Sequence, residues 1–162
     1  MKATEAELRQ VLAGTVFSRG YGFKLGSAAD GECTLEVSFQ HALERPGGMV
    51  AGAVFMTAAD VAMWLAVLTR LGSGDRAVTA EMTTAFLGAA RVEGFRCRAR
   101  VLKWGRRLIY GVAECMSESG RLLAHHTITY VRSEGAARAA AGTQRVRSRK
   151  ASGPKVVPSS RR

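Results

Sequence analysis

Cysteine and proline are scarce in this sequence, which contains three residues of each type among 162. Cys33, Cys97 and Cys115 are odd in number and far apart, so they suggest neither a disulfide framework nor the paired spacing of a zinc site. We expect them to be small buried residues in a reducing compartment, and we predict no metal site. The first seven residues are polar, unlike the apolar core of a secretory signal. These features predict a cytoplasmic location.

Acidic residues are absent from 136–162, a segment with eight basic residues. Residues 1–135 hold the other sixteen basic groups and all thirteen acidic ones, so their net charge is only +3 of the total +11. The tail mixes Ala, Gly, Ser and Pro without periodicity, which predicts a disordered appendage to a folded domain over 1–135. No aromatic residue is interleaved with its charge, so nucleic-acid binding through the tail is only an alternative to a solvated appendage.

Periodicity divides residues 1–135 into helices and strands. A short amphipathic helix is predicted over 4–13 and a long apolar helix over 52–71, which ends at Gly72. Alternation predicts strands over 21–28, 31–39, 76–87, 94–104, 107–118 and 121–132, the first two joined at Asp30-Gly31. Helix and strands do not alternate, and the long helix is apolar all round. We therefore predict an α+β fold in which a mostly antiparallel sheet of five or six strands wraps one central helix.

A single ionisable group, Asp60, interrupts the apolar stretch from Val50 to Thr69. The stretch is long enough to cross a membrane, but an aspartate at the centre of a membrane helix costs about 2.5–3.5 kcal/mol. Strand-like segments also surround it, so we predict a core helix and no membrane contact. A buried carboxylate needs either a partner or a chemical role. Thr57, one turn earlier, is the structural partner expected if Asp60 has no catalytic role.

Three segments in register carry a family resemblance: GAVFMTAADVAM (52–63), AVTAEMTTAFLGAA (77–90) and VLKWGRRLIYGVAECMSESGRLLAHHTITYV (101–131). They resemble the hotdog-fold acyl-CoA thioesterases of the phenylacetate-pathway type, within the 4-hydroxybenzoyl-CoA thioesterase-like superfamily. The resemblance extends over about residues 30–132. It implies a hotdog fold, hydrolysis of an acyl-CoA thioester, and an assembly that is at least a dimer and, by family analogy, a tetramer. It implies no cofactor, since coenzyme A is part of the substrate.

The resemblance also assigns a catalytic set. Asp60 occupies the position of the family's catalytic carboxylate, and Thr79 that of the Ser/Thr that helps to hold the nucleophilic water. Gly52, in the first turn of the long helix, would donate its backbone N–H to the oxyanion. Two positions depart from the family pattern: Ala51-Gly52-Ala53 replaces the common His-Gly-Gly, and Arg45 replaces a common Asn.

Substrate contacts are predicted for seven further residues. Helical spacing places Met56, Met63 and Trp64 on the face of Asp60, as an acyl pocket or as ordinary core. Arg106 and Arg107, followed by Arg91, are candidates for the coenzyme A phosphates, although each also suits a solvated turn. Arg45 is a candidate for contact with the thioester or with a carboxylated acyl group. We expect at most one of His125 and His126 to face the core, and neither is assigned a catalytic role.

Spacing along the helix makes a prediction about assembly. Gly52 and Asp60 are eight residues apart, which corresponds to about 12 Å of helix rise. Both residues of one helix cannot reach the same carbonyl, so a working site requires Asp60 from one subunit and Gly52 from another. The departures at Ala51 and Arg45 keep a non-catalytic acyl-CoA-binding protein of the same fold as the alternative function.

Overall fold

A computed structural model describes residues 1–132. The basic tail, 136–162, lies outside the described residues. Helix α1 spans Glu5–Gly14 and helix α2 spans Gly52–Leu71. The eight strands are β1 Phe23–Ala29, β2 Glu32–Val37, β3 Glu44–Arg45, β4 Met49–Val50, β5 Val78–Phe86, β6 Phe95–Trp104, β7 Leu108–Ser117 and β8 Leu122–Val131. The short β3–β4 pair, with Gly47 and Gly48 at positive φ between its strands, was not predicted.

Helix α2 has the predicted bounds and forms the centre of the core. Its mean hydropathy of 1.6 would suit a membrane span by length and composition, but 67% of that window is buried inside the fold. The sheet contributes the side chains that cover it, among them Leu35, Phe95 and Ile128. One stripe of α2 is left only partly covered or exposed, and its members recur every four residues: Gly52, Met56, Asp60 and Trp64. We call these four residues the open stripe.

The main sheet has six strands in the order β1-β2-β6-β7-β8-β5, and every neighbouring pair is antiparallel. The Asp30-Gly31 turn joins β1 to β2 as predicted, with Gly31 at φ 80° where a side chain would be strained. Within residues 1–132, β5 pairs on one side only, with β8, and most of its residues are exposed. The predicted α+β hotdog arrangement is confirmed, and β5 forms an open edge of the sheet.

The N-terminal helix and the burial of the cysteines also follow the prediction. The Thr4 side chain and Glu7 form a reciprocal capping box at the start of α1, whose Leu8 and Leu12 are buried. All three cysteines are free and buried. Cys97 and Cys115 lie opposite each other on β6 and β7. Burial raises the pKa of the Cys33 thiol to about 12. Within the described residues, no group of three or more His, Cys, Asp or Glu side chains is arranged to hold a metal ion.

Candidate active site

The carboxylate of Asp60 lies on the open stripe and is held by two hydroxyl groups. Thr79 Oγ1 donates to Asp60 Oδ1 at 2.6 Å, and the Tyr130 hydroxyl lies 2.8 Å from the same oxygen. Tyr130 also lies 3.0 Å from the backbone carbonyl oxygen of Asp60. Thr57, the partner expected for a purely structural acid, instead donates to the carbonyl of Ala53 at 2.8 Å. No residue of the described chain hydrogen-bonds Asp60 Oδ2.

Tyr130 is not among the site residues predicted from the sequence. Its side chain is only 2% exposed, and burial raises the pKa of Tyr130, with a further contribution from the negative charge of Asp60. The phenol therefore remains protonated and serves as a hydrogen-bond donor. Strand alternation could have placed Tyr130 on the inner face of β8, along with His126 and Ile128. It could not have shown which residue of α2 the hydroxyl reaches, because that depends on how the helix is rotated against the sheet.

A row of paired residues runs across the sheet at the Asp60 end of the site: Trp104, Ile109, Tyr130 and Thr79. Arg106 and Arg107 lie in the β6–β7 turn just beyond this row, and both are exposed. The carbonyl of Arg107 accepts from the Arg132 N–H at 2.8 Å. The structure therefore groups this predicted arginine pair with Asp60 at one end of the sheet.

Gly52 lies at the other end, in a cleft of about 390 Å³. The cleft is lined by Arg45, Met49, Val50, Gly52, Phe55, Phe86, Gly88 and Ala89. Gly52 is the first residue of α2, and no described residue accepts a hydrogen bond from its N–H, as expected for a first-turn donor. A Cβ atom at this position would lie 3.1 Å from the Phe86 ring, so the absence of a side chain keeps the backbone accessible beside that ring. Arg91 is nearby, with its Nη1 3.4 Å from the carbonyl oxygen of Gly47.

The two ends are separated within one chain. Asp60 does not line the Gly52 cleft. Thr79, which contacts Asp60, and Phe86, which covers Gly52, are seven residues apart on β5, corresponding to about 23 Å of extended strand. The structure therefore brings Asp60 together with Thr79, and Gly52 together with Arg45, but does not bring the two pairs together.

The three residues predicted to form an acyl pocket have different environments. Met56 is 40% exposed on the open stripe, and Trp64 is half-buried at its far end. Met63 is fully buried, in agreement with the alternative that it is ordinary core. The side chain turns toward β7, where Gly111 leaves room for it: a Cβ at Gly111 would lie only 2.5 Å from the Met63 methyl carbon. Met63 is therefore core.

Of the neighbouring residues His125 and His126, only one faces the core, as predicted. His126 is fully buried, and its Nδ1 lies 2.9 Å from Thr84 Oγ1 while its Nε2 lies 3.8 Å from Cys115 Sγ. Burial lowers the pKa of His126 to about 4, with His125 contributing to the same shift. The imidazole is therefore neutral at neutral pH and ties β5 to the interior of the sheet.

Comparisons with known proteins agree with this architecture. The family model of the thioesterase superfamily matches residues 47–124. A conserved protein from Pseudomonas aeruginosa is 27% identical, with 77% of this chain and 98% of that chain covered and a TM-score of 0.73. A mutant of the phenylacetic acid degradation protein PaaI from Thermus thermophilus is 26% identical, with 74% and 100% covered and a TM-score of 0.67.

A hypothetical thioesterase from Streptococcus pneumoniae, solved with coenzyme A, is 15% identical and shares the fold, with 78% of this chain and 96% of that chain covered and a TM-score of 0.69. No curated protein matches the chain. The fold, with its carboxylate on a wrapped central helix, is that of a hotdog protein. Over residues 47–124 the chain is similar to the thioesterase superfamily, and its resemblance to the phenylacetate-pathway type is confirmed.

Proposed function

We propose that this protein hydrolyses an acyl-CoA thioester to a free acid and coenzyme A. The observation that carries the proposal is the Asp60 carboxylate, which is held on Oδ1 by hydroxyl groups while Oδ2 has no partner among the described residues. Similarity to the thioesterase superfamily over residues 47–124 supports the reaction class. A carboxylate that is fixed by two donors and still reachable from solvent suits a base or nucleophile better than a buried structural acid.

Hydrolysis requires two operations at the thioester. Asp60 either removes a proton from a water molecule as that water adds to the carbonyl carbon, or attacks the carbon itself to form an anhydride that water then cleaves. In both routes the carbonyl oxygen becomes an oxyanion, and the C–S bond breaks to release the coenzyme A thiolate, which takes up a proton. The Gly52 N–H is the proposed oxyanion donor, because it is unpaired within the described chain and lies at the positive end of α2.

The open edge of the sheet supports a site shared between two chains. An unpaired edge strand readily pairs with another strand, and β5 also exposes Val78 and Phe86, at 62% and 55% respectively. If two copies of β5 pair antiparallel, the Val78 end of one lies opposite the Phe86 end of the other. That arrangement brings Asp60 of one chain toward the Gly52 cleft of its partner, which is the composite site predicted from helix rise.

Thr79 has an auxiliary role in this proposal. Its single hydroxyl proton is donated to Asp60, but its oxygen can still accept a hydrogen bond from the attacking water. Met56 and Trp64, on either side of Asp60 along the open stripe, would contact the acyl group together with the partner's cleft. The same pairing brings Arg106 and Arg107 of one chain toward the partner end that holds Arg45 and Arg91, which would concentrate positive charge for the coenzyme A phosphates.

Coenzyme A binding has support from the solved relatives, since the Streptococcus pneumoniae protein of this fold was crystallised with it. We propose no resident cofactor, because a carboxylate, a water molecule and an N–H donor are sufficient for the reaction. We further propose a cytoplasmic homo-oligomer, at least a dimer and by family analogy a tetramer.

A non-catalytic acyl-CoA-binding protein is the second candidate. The residue before α2 is Ala51, which provides no side-chain hydrogen bond at the helix start. Arg45 replaces the Asn that the family resemblance predicts. These two positions surround the proposed oxyanion donor, so they are the features that favour binding without turnover.

The first experiment measures thiol release from short, long and aromatic acyl-CoAs. A mixing experiment then tests the shared site, using the variants Asp60→Asn and Gly52→Pro, which are each expected to be nearly inactive. After the subunits exchange at equal concentrations, half of the dimers contain one intact pair of Asp60 and Gly52. Activity is therefore expected to recover to about a quarter of the wild-type value.

Failure to recover despite verified subunit exchange would contradict the shared site. Tight coenzyme A binding without thiol release from any substrate would support the binding protein instead.

A further inference from the structure

Two hydroxyl groups converge on the same carboxylate oxygen of Asp60, and they come from strands in different positions. Thr79 lies on β5, the open edge, and its side chain is exposed. Tyr130 lies on β8, which is paired on both sides, with Ile109 of β7 and Thr79 of β5 as its neighbours in register. Of the two donors, only Tyr130 is fixed by the interior of the fold.

The Tyr130 hydroxyl reaches two oxygen atoms of the same residue, Oδ1 at 2.8 Å and the backbone carbonyl oxygen at 3.0 Å. A phenol carries one proton, so these two acceptors share it. The backbone oxygen belongs to α2, and Tyr130 lies on β8. The two contacts therefore fix the position of the Asp60 carboxylate relative to both the helix and the sheet. Rotation about the Asp60 side chain would break this arrangement, so the carboxylate is held with Oδ1 inward and Oδ2 outward.

We propose that Tyr130 is a positioning residue for the thioesterase reaction, which selects Oδ2 of Asp60 as the oxygen that meets the reacting water or thioester. The inference rests on the proposed function and adds to it a residue outside the predicted catalytic set. Thr79 contributes to the same alignment from the sheet edge. Tyr130 does not touch the substrate and acts through Asp60.

The test compares the wild type with Tyr130→Phe, which removes only the hydroxyl. We expect kcat to fall about tenfold and KM to change by less than about twofold, because ground-state binding is unaffected. We also expect kcat/KM to fall with kcat, because the contact that is removed acts on the transition state and not on substrate binding.

Tyr110→Phe is the matched control, because Tyr110 is 41% exposed on β7 and makes no contact with Asp60. It should leave kcat and KM unchanged. If Tyr130→Phe also behaves like the wild type, or if its loss lies in KM with kcat unchanged, the positioning role is wrong. Should the variant fail to fold, 3-fluorotyrosine at position 130 replaces it. A more acidic phenol donates more strongly, so kcat should then change while KM stays within about twofold, and an unchanged kcat would overturn the proposal.

A readout without substrate separates this inference from the proposed function. The chain contains three aspartates, Asp30, Asp60 and Asp75, so carboxyl-labelled aspartate gives three carbon resonances, and Asp60→Asn assigns one of them. In Tyr130→Phe the Asp60 resonance should move, because its Oδ1 loses a hydrogen-bond donor, while those of Asp30 and Asp75 stay in place. If the protein proves inactive on every thioester, a moved Asp60 resonance still supports the contact, and an unmoved one contradicts it.

Discussion

The two ends of the open stripe on α2 differ in what they provide. The Gly52 end has a cleft, an unpaired N–H and two nearby arginines, but no carboxylate among the described residues that line the cleft. The Asp60 end has a carboxylate held by two hydroxyls, but the cleft does not extend to it. Each end supplies what the other lacks for thioester hydrolysis.

The difference has a geometric origin. A helix fixes the distance between residues eight positions apart, so no movement of side chains can close the gap between Gly52 and Asp60. The strand that follows, β5, runs back along the helix and links the ends through Thr79 and Phe86. A second chain paired antiparallel on β5 would place the Asp60 end of one chain beside the Gly52 end of the other, and variants at each end test this arrangement.

The largest effect is expected from Asp60→Asn. The amide keeps the shape of the side chain but cannot take a proton from water, so kcat should fall by about 10²-fold or more. Thiol release measures it, with thermal unfolding and sedimentation used to show that fold and assembly are retained. Asp75→Asn is the control, since Asp75 lies outside the open stripe. An Asp60→Asn protein that keeps most of its activity would remove the Asp60 end from the site.

A smaller effect is expected at the Gly52 end. Gly52→Pro removes the proposed oxyanion donor, and proline is favoured at the first position of a helix. Ala51 already has the extended backbone, φ −64° and ψ 139°, that a following proline requires. We expect kcat to fall by roughly 10²-fold, close to the lower limit for loss of an oxyanion donor.

Gly52→Ala is the matched control for this substitution. It introduces the same Cβ beside Phe86 but keeps the N–H, so its loss of kcat should be only several-fold. Equal losses in the two variants would show that space beside Phe86, and not the N–H, is what the reaction requires.

The smallest effects on catalysis are expected from substitutions of Met56 and Met63. The quantity measured for these variants is the free energy of unfolding. Met63→Ala should lower the free energy of unfolding by about 2–5 kcal/mol, because the buried side chain leaves a cavity below Gly111. Met56→Ala, on the open stripe, should cost less than about 1 kcal/mol. Urea unfolding of both variants at one protein concentration compares them. A large cost at Met56 would mean that the assembly covers the stripe more completely than a single chain does.

Much of the fold could be predicted from the sequence because its signals are local. The apolar run and Gly72 defined α2 over 52–71, and Asp30-Gly31 marked the first hairpin. Contacts between distant segments were harder to predict. The hydroxyl of Tyr130 approaches Asp60 across 70 positions of sequence, and Met63 is turned inward by a glycine on another strand. Both depend on the rotation of α2 against the sheet, which helical periodicity does not determine for a helix that is apolar all round.

The open edge of β5 also affects how a single chain behaves before it assembles. Among the described residues, β5 is the longer of the two edge strands of the main sheet, and it lies along the same border of the molecule as the proposed catalytic carboxylate. Association with a second copy would cover the edge and complete the site in one event. Under the proposed function, a single chain would be the form most prone to pair wrongly through its edge strand, and it would also be unable to hydrolyse acyl-CoA. Protection from aggregation and the onset of activity would therefore begin at the same protein concentration, the one at which the chains associate.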